Sequence, residues 1–141
     1  MAMRDPAATV GNMIDKQKLA YISVVDEDGF PCTNAMLAPR KREGIRTLWF
    51  STNTSSLHVQ RYRQNPKASV YVCDSRFFRG VLLKGTMEIL EDADSKKMLW
   101  QMGDTMYYPK GVTDPDYCVM KFTATGGRYY ASFKKEDFTV E

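Results

Sequence analysis

The sequence predicts a mainly β domain, an antiparallel β-barrel with flanking helices, formed by one unit over residues 1–141. Two observations carry this. Short runs in which apolar and polar residues alternate follow one another closely, divided by turn signals such as Asp28-Gly29 and Gly126-Gly127. Helical stretches are few, so they cannot supply the crossovers that parallel strands need.

The first element reads as a short helix over Pro6 to Lys16, with Asp5 as N-cap and Pro6 at the first helical position. Its apolar residues are modest, which places it on the surface. Leu19 to Val25 is rich in β-formers and ends at Asp28-Gly29, a pair whose tolerance of positive φ marks a hairpin. Phe30 to Ala38 is the returning strand, and Pro39 to Gly44 a polar loop. Ile45 to Thr52 forms the third strand, with Leu48 and Phe50 on one face and Trp49 and Ser51 on the other. Asn53 to Ser56 cap a helix that runs to Gln64 and stops before Pro66, since proline disfavours helix in the preceding residue. Ala68 to Cys73 alternates as a fourth strand. Phe78 to Leu90 is a long fifth, with Gly80 and Gly85 placed to bend it. A helix starting near Asp92 or Asp94 carries Met98, Leu99 and Met102. Two last strands lie near Tyr117 to Thr123 and Arg128 to Phe133, joined at Gly126-Gly127.

Composition narrows the function. A chain of 141 residues, 43% of them hydrophobic, builds a core without disulfide or metal staples. A net charge of +3, spread along the chain, argues against nucleic acid. Cys32, Cys73 and Cys118 are odd in number and fit no zinc spacing; Cys32 and Cys73 read as buried thiols of a reducing compartment. No apolar leader and no membrane-length apolar run is present, so the expectation is a soluble, cytoplasmic protein that does not engage membranes. One histidine, His58, excludes a histidine metal cluster, and no metal site is expected. A Cys/His nucleophilic pair lacks a supporting motif, and no Gly-rich phosphate loop of Walker or dinucleotide type occurs. Asp114-Pro115-Asp116 reads as a solvated turn.

The stretch Phe50-Ser51-Thr52-Asn53-Thr54-Ser55-Ser56-Leu57-His58 joins a strand to a helix N-terminus and fills the junction with hydroxyls. Free amides and the helix dipole suit such a junction to an anion. An ordinary Ser/Thr cap is the structural alternative, but the hydroxyls exceed what one cap needs.

Three segments, in order and at the right spacing, resemble the pyridoxamine 5'-phosphate oxidase-like family, and most closely its short members related to general stress protein. They are Val24 to Pro31 with Thr33 to Ala38, Leu48 to Val72, and Arg79 to Glu88. The resemblance covers Leu19 to Ala131. It implies a six-stranded antiparallel split barrel, paired as a homodimer, with FMN in a cleft between subunits. Asn34, Ala35, Met36 and Leu37 would run beside the isoalloxazine ring. Ser51, Thr52 and Ser56 would reach the ribityl phosphate, and Leu57 and His58 lie where relatives place a basic pair. Asn34 stands where many relatives have Arg, Leu57-His58 where Arg-Lys is common, and Gly80 where the true oxidases have Gln. Arg61, Arg40 or Lys41 are the substitute cations at hand. Trp49, Tyr107, Tyr108, Tyr129 and Tyr130 are candidates for lining a flat ligand, although each alone reads better as core or interface. The C-terminus lacks the Arg/His pair that holds pyridoxal phosphate in the true oxidases. The resemblance thus implies a flavin-dependent oxidoreductase of unknown small-molecule substrate and unknown catalytic residues. Alternatives are a relative binding the deazaflavin F420, and a cofactor-free stress or interaction module on the same barrel.

Overall fold

A computed structural model describes residues 5–141. Helix α1 (Pro6–Lys16) begins where the capping pattern places it: Asp5 is extended, and its carboxylate accepts from the amides of Ala7 and Ala8 at 3.1 and 3.4 Å. The helix is not superficial. Val10, Met13 and Ile14, spaced to fall on one face, are buried in the core. Few apolar residues suffice when they share a stripe.

Strands β1 (Leu19–Val25) and β2 (Pro31–Leu37) form the expected hairpin. Its turn is fixed by Gly29 at φ 87° and by Asp26, which accepts from the amides of Asp28 and Phe30. Then follow β3 (Lys41–Glu43), β4 (Thr47–Asn53), α2 (Leu57–Gln64), β5 (Lys67–Asp74), β6 (Arg79–Leu90), α3 (Ala93–Leu99), two single 3₁₀ turns, β7 (Tyr117–Ala131) and β8 (Lys134–Thr139). The sheet has eight strands where six were expected. The additional strands are β3, inside the predicted polar loop, and β8, whose charged sequence hides it. The two predicted last strands are one: β7 runs unbroken through Gly126-Gly127. These glycines serve close approach rather than a turn, for a Cβ on Gly127 would lie 2.4 Å from the carbonyl oxygen of Leu82. Met102 lies beyond α3 and is fully exposed.

All pairings are antiparallel, in the order β2-β1-β5-β6-β7-β4-β3, with β8 also on β7. The register of β6 on β7 shifts between Lys84 and Gly85, but the extra residue is Thr125 of β7, so Gly85 faces the bulge instead of forming it as expected. Gly80 makes no bulge; its bare backbone admits the Tyr71 hydroxyl. The barrel interior holds Ile22, Leu48, Phe50, Val70, Leu83 and Phe122, closed by α1 and by Val59 and Tyr62 of α2. The other face of β4 and β7 carries a second cluster of Trp49, Tyr117 and Val119, covered by Leu99 and Tyr108. Cys32 and Cys73 are half-buried rather than enclosed, and Cys118 is the buried thiol. Among the described residues no helix is long and apolar enough to cross a membrane.

The strand order places the site. The ends of the strand order are β2 and β3, and β3 covers only Thr47 to Trp49 of β4, so the rest of β4 has no ladder on the side toward β2. The barrel has a seam there.

Candidate cofactor cleft

A cavity of about 260 Å³ lies in that seam. Its walls bring together Ala35, Met36 and Leu37 of β2, Ser51 and Thr52 of β4, and Ser56 and His58 at the start of α2. Seven of the nine expected residues therefore meet. Asn34 joins them indirectly, through His58. Leu57 does not line the cavity and is 54% exposed.

His58 bridges the seam. Its Nε2 lies 2.9 Å from Thr52 Oγ1 and 3.1 Å from Ser56 Oγ, and its Nδ1 lies 3.1 Å from Asn34 Nδ2. The Ser56 hydroxyl already donates to the carbonyl of Asn53 at 2.8 Å, so toward His58 it must accept. The amide nitrogen of Asn34 can only donate. These partners fix the neutral tautomer, with the proton on Nε2 and Nδ1 accepting. Burial works in the same direction, holding the imidazole below its ordinary range. As the one histidine of the chain, it gives a single ring signal in NMR. We expect its titration midpoint below about 6.5; a midpoint above that value would contradict the neutral bridge.

Among the described residues the nearby cations differ in how firmly they are engaged, Arg40 most and Arg61, whose Nε makes no hydrogen bond, least. Arg40 lines the cavity, but its guanidinium forks onto the Asp104 carboxylate, with Nη2 to Oδ1 at 2.8 Å, and also donates to the carbonyl of Leu99. Arg61 pairs with Glu27 in the β1–β2 turn. Lys41 sits over the Trp49 ring at 5.2 Å. The junction meanwhile carries an anion of its own. Asp116 accepts from the Asn53 side chain at 2.9 Å and from the Ser55 amide at 2.8 Å, and these bonds lower its pKa. The expectation of a solvated Asp114-Pro115-Asp116 turn is thus corrected: Asp114 is buried, and Asp116 ties the start of β7 to the β4–α2 junction.

Ser51 sits in the cleft wall with its hydroxyl enclosed beside Tyr117. That hydroxyl makes no hydrogen bond of good geometry, while the neighbouring Tyr117 hydroxyl donates to the carbonyl of Lys96. Of the five candidate aromatics only Tyr108 reaches the cavity wall. Trp49 and Tyr129 are buried in the two apolar clusters, Tyr107 is exposed, and Tyr130 packs edge-on against Phe78. Among the described residues no cluster of His, Cys, Asp or Glu is arranged to hold a metal.

A family model described as pyridoxamine 5'-phosphate oxidase matches residues 8–131. The chain belongs to the pyridoxamine 5'-phosphate oxidase family. Among solved structures, a family protein related to general stress protein 26, from Clostridium acetobutylicum, is 38% identical, with a TM-score of 0.87 over 96% of this chain and 94% of that one. An FMN-binding, pyridoxamine 5'-phosphate oxidase-related protein from Nostoc punctiforme shares the fold at 10% identity, with a TM-score of 0.68 and full coverage of both chains. A heme-binding protein from Mycobacterium smegmatis does so at 13% identity and a TM-score of 0.76, over 99% of this chain and 60% of that one. A search of curated protein sequences returns no match. The fold is the split barrel of this family.

Three features of this family member's cleft are hidden in its sequence. Tyr108 is one aromatic among five. Arg40 and Asp104 are 64 positions apart, and Asp116 lies 61 from Ser55. The β4–β7 register, which sets Asn53 against Tyr117, is what brings Asp116 to the junction, and no local pattern announces it.

Proposed function

We propose that the seam cleft holds a flavin, FMN being the form the family resemblance implies, between two copies of the chain, and that the dimer is a flavin-dependent oxidoreductase. The observation that carries this reading is the cleft itself. An edge strand, β2, turns its unladdered side to a wall bearing Ser51, Thr52 and Ser56. Edge backbone offers amides and carbonyls in a row, which suits the heteroatom rim of a flat ring. Ser51, Thr52 and Ser56 suit the hydroxyls of a ribityl chain. The bound flavin would supply electron transfer, and the protein would orient it, exclude water and set its polarity. The FMN-binding Nostoc relative supports the reading through a shared fold.

Two observations support the second copy. The cavity of about 260 Å³ falls short of the ~300–1,000 Å³ that normally enclose a cofactor-sized ligand. Beside it the outer surface of the hairpin is apolar: Leu37, 65% exposed, faces Leu19 across the ladder, and Ala35 faces Tyr21, which in turn faces Tyr71 on β5. A two-fold pair would cover this face and complete the cleft.

Purified protein mixed with FMN and riboflavin in turn, then desalted, tests the reading. Retained visible absorbance from either flavin is expected, with a scattering mass about twice the 16.1 kDa of one chain. A colourless monomer would reject both parts. Colourless dimers would favour the cofactor-free module, a reading that the engagement of Arg40 by Asp104 also favours.

A further inference from the structure

We infer that the cleft recognises the neutral part of the flavin and not its phosphate, so that it takes riboflavin as readily as FMN. This rests on the flavin reading above. A phosphate monoester carries about −1.5 to −2 charges near neutrality and is gripped by fixed cations and free amides. The junction where the phosphate would lie supplies no unpaired cation among the described residues; Asp116 takes the amides of Thr54 and Ser55, which leaves only the uncapped first-turn amides of α2. Arg40, the one Lys or Arg in the wall among the described residues, is neutralised by the fork onto Asp104. Arg61 is turned toward Glu27, and Lys41 toward the Trp49 ring. His58 is held neutral by three partners on its two nitrogens. The Ser55 amide, a donor that an anion would use, is already engaged by Asp116. That carboxylate has no cation within ion-pair distance among the described residues, so its charge opposes a second anion.

What remains in the wall is neutral: the hydroxyls of Ser51, Thr52 and Ser56, the β2 edge, and the Tyr108 ring. Hydroxyl acceptors and donors match ribityl hydroxyls, and the strand edge matches the ring. The ligand class this cleft selects is therefore an uncharged flavin.

Fluorescence titration of the full chain with riboflavin and with FMN measures the point. We expect dissociation constants within about threefold of each other, a difference of under 1 kcal/mol. Leu57→Arg adds a cation at the exposed first residue of α2, where folding does not depend on the side chain. It is expected to tighten FMN by about tenfold, the worth of one charge-assisted hydrogen bond, and to leave riboflavin unchanged. Wild-type preference for FMN of more than about thirtyfold, some 2 kcal/mol, would overturn the inference and leave the flavin reading intact, the missing cation then coming from the second copy. Equal gains for both flavins in Leu57→Arg would also overturn it, since the phosphate would not lie at this junction. Binding of neither flavin would reject the flavin reading, and this inference with it.

Discussion

Gly85→Ala is expected to destabilise the protein by more than about 3 kcal/mol, beyond the usual range for overpacking because the obstacle is backbone. A Cβ on Gly85 would stand 1.9 Å from the carbonyl oxygen of Thr123 and 2.9 Å from the Cα of Ala124. Neither can rotate away. Both belong to β7, the strand with the longest pairing in the sheet, and the register shift at Lys84/Gly85 leaves no slack to absorb the methyl. Gly29→Ala provides the contrast. Nothing lies within 4 Å of its would-be Cβ, and only its φ of 87° opposes a side chain. That cost is about 1–2 kcal/mol. Thermal melts of both variants test the comparison, with a loss for Gly85→Ala of roughly 10 °C. Equal losses would refute the steric account.

The second large effect belongs to Asp104→Ala. Asp104 is 3% exposed and accepts from two guanidinium nitrogens of Arg40 and from the amide of Gln101. Removing it strands a half-buried charge beside the cleft. The cost is about 3 kcal/mol, the low end for a broken buried pair because Arg40 keeps part of its solvent contact. The pH dependence follows from the same geometry. Arg40 holds the Asp104 carboxyl below its usual range. The folded value is thus below the unfolded one, so the contribution is fully present above about pH 4 and is lost as the pH falls through the lowered folded value. Urea unfolding of wild type and Asp104→Ala should show a wide gap at pH 7 that narrows in acid. A gap that stays constant down to pH ~2 would mean that the ion pair is not its source.

Both predictions touch features of unequal visibility in the sequence. Gly85 is legible because a glycine inside a long apolar-alternating run weakens a strand unless a bulge or a close backbone approach requires it. The α1 cap and the Asp28-Gly29 hairpin are legible for a related reason: the residues that define them are neighbours. Gly126-Gly127 misleads because a pair of glycines looks the same whether the chain turns or another strand comes close. β8 escapes notice because its charged residues mask the single apolar side chain, Phe138, that the strand packs on the core. In the cleft, the β2 and junction residues are found by resemblance and the structure gathers most of them. The Arg40–Asp104 fork and the Asp116 brace depend on strand register, which a single sequence does not display. His58 is visible as a site residue, but its role changes. Surrounded by Asn34, Thr52 and Ser56, it is a hydrogen-bonding bridge rather than a source of charge.

Where β2 and β4 face each other, one imidazole stands in for a ladder of main-chain bonds. A barrel stitched at one point along its open side parts there more cheaply than across any paired strands. The breach is thus the mouth of the cleft. A ligand held there would touch both banks and serve as a missing rung, adding its binding energy to the stability of the barrel. Loading and tightening would then be the same event.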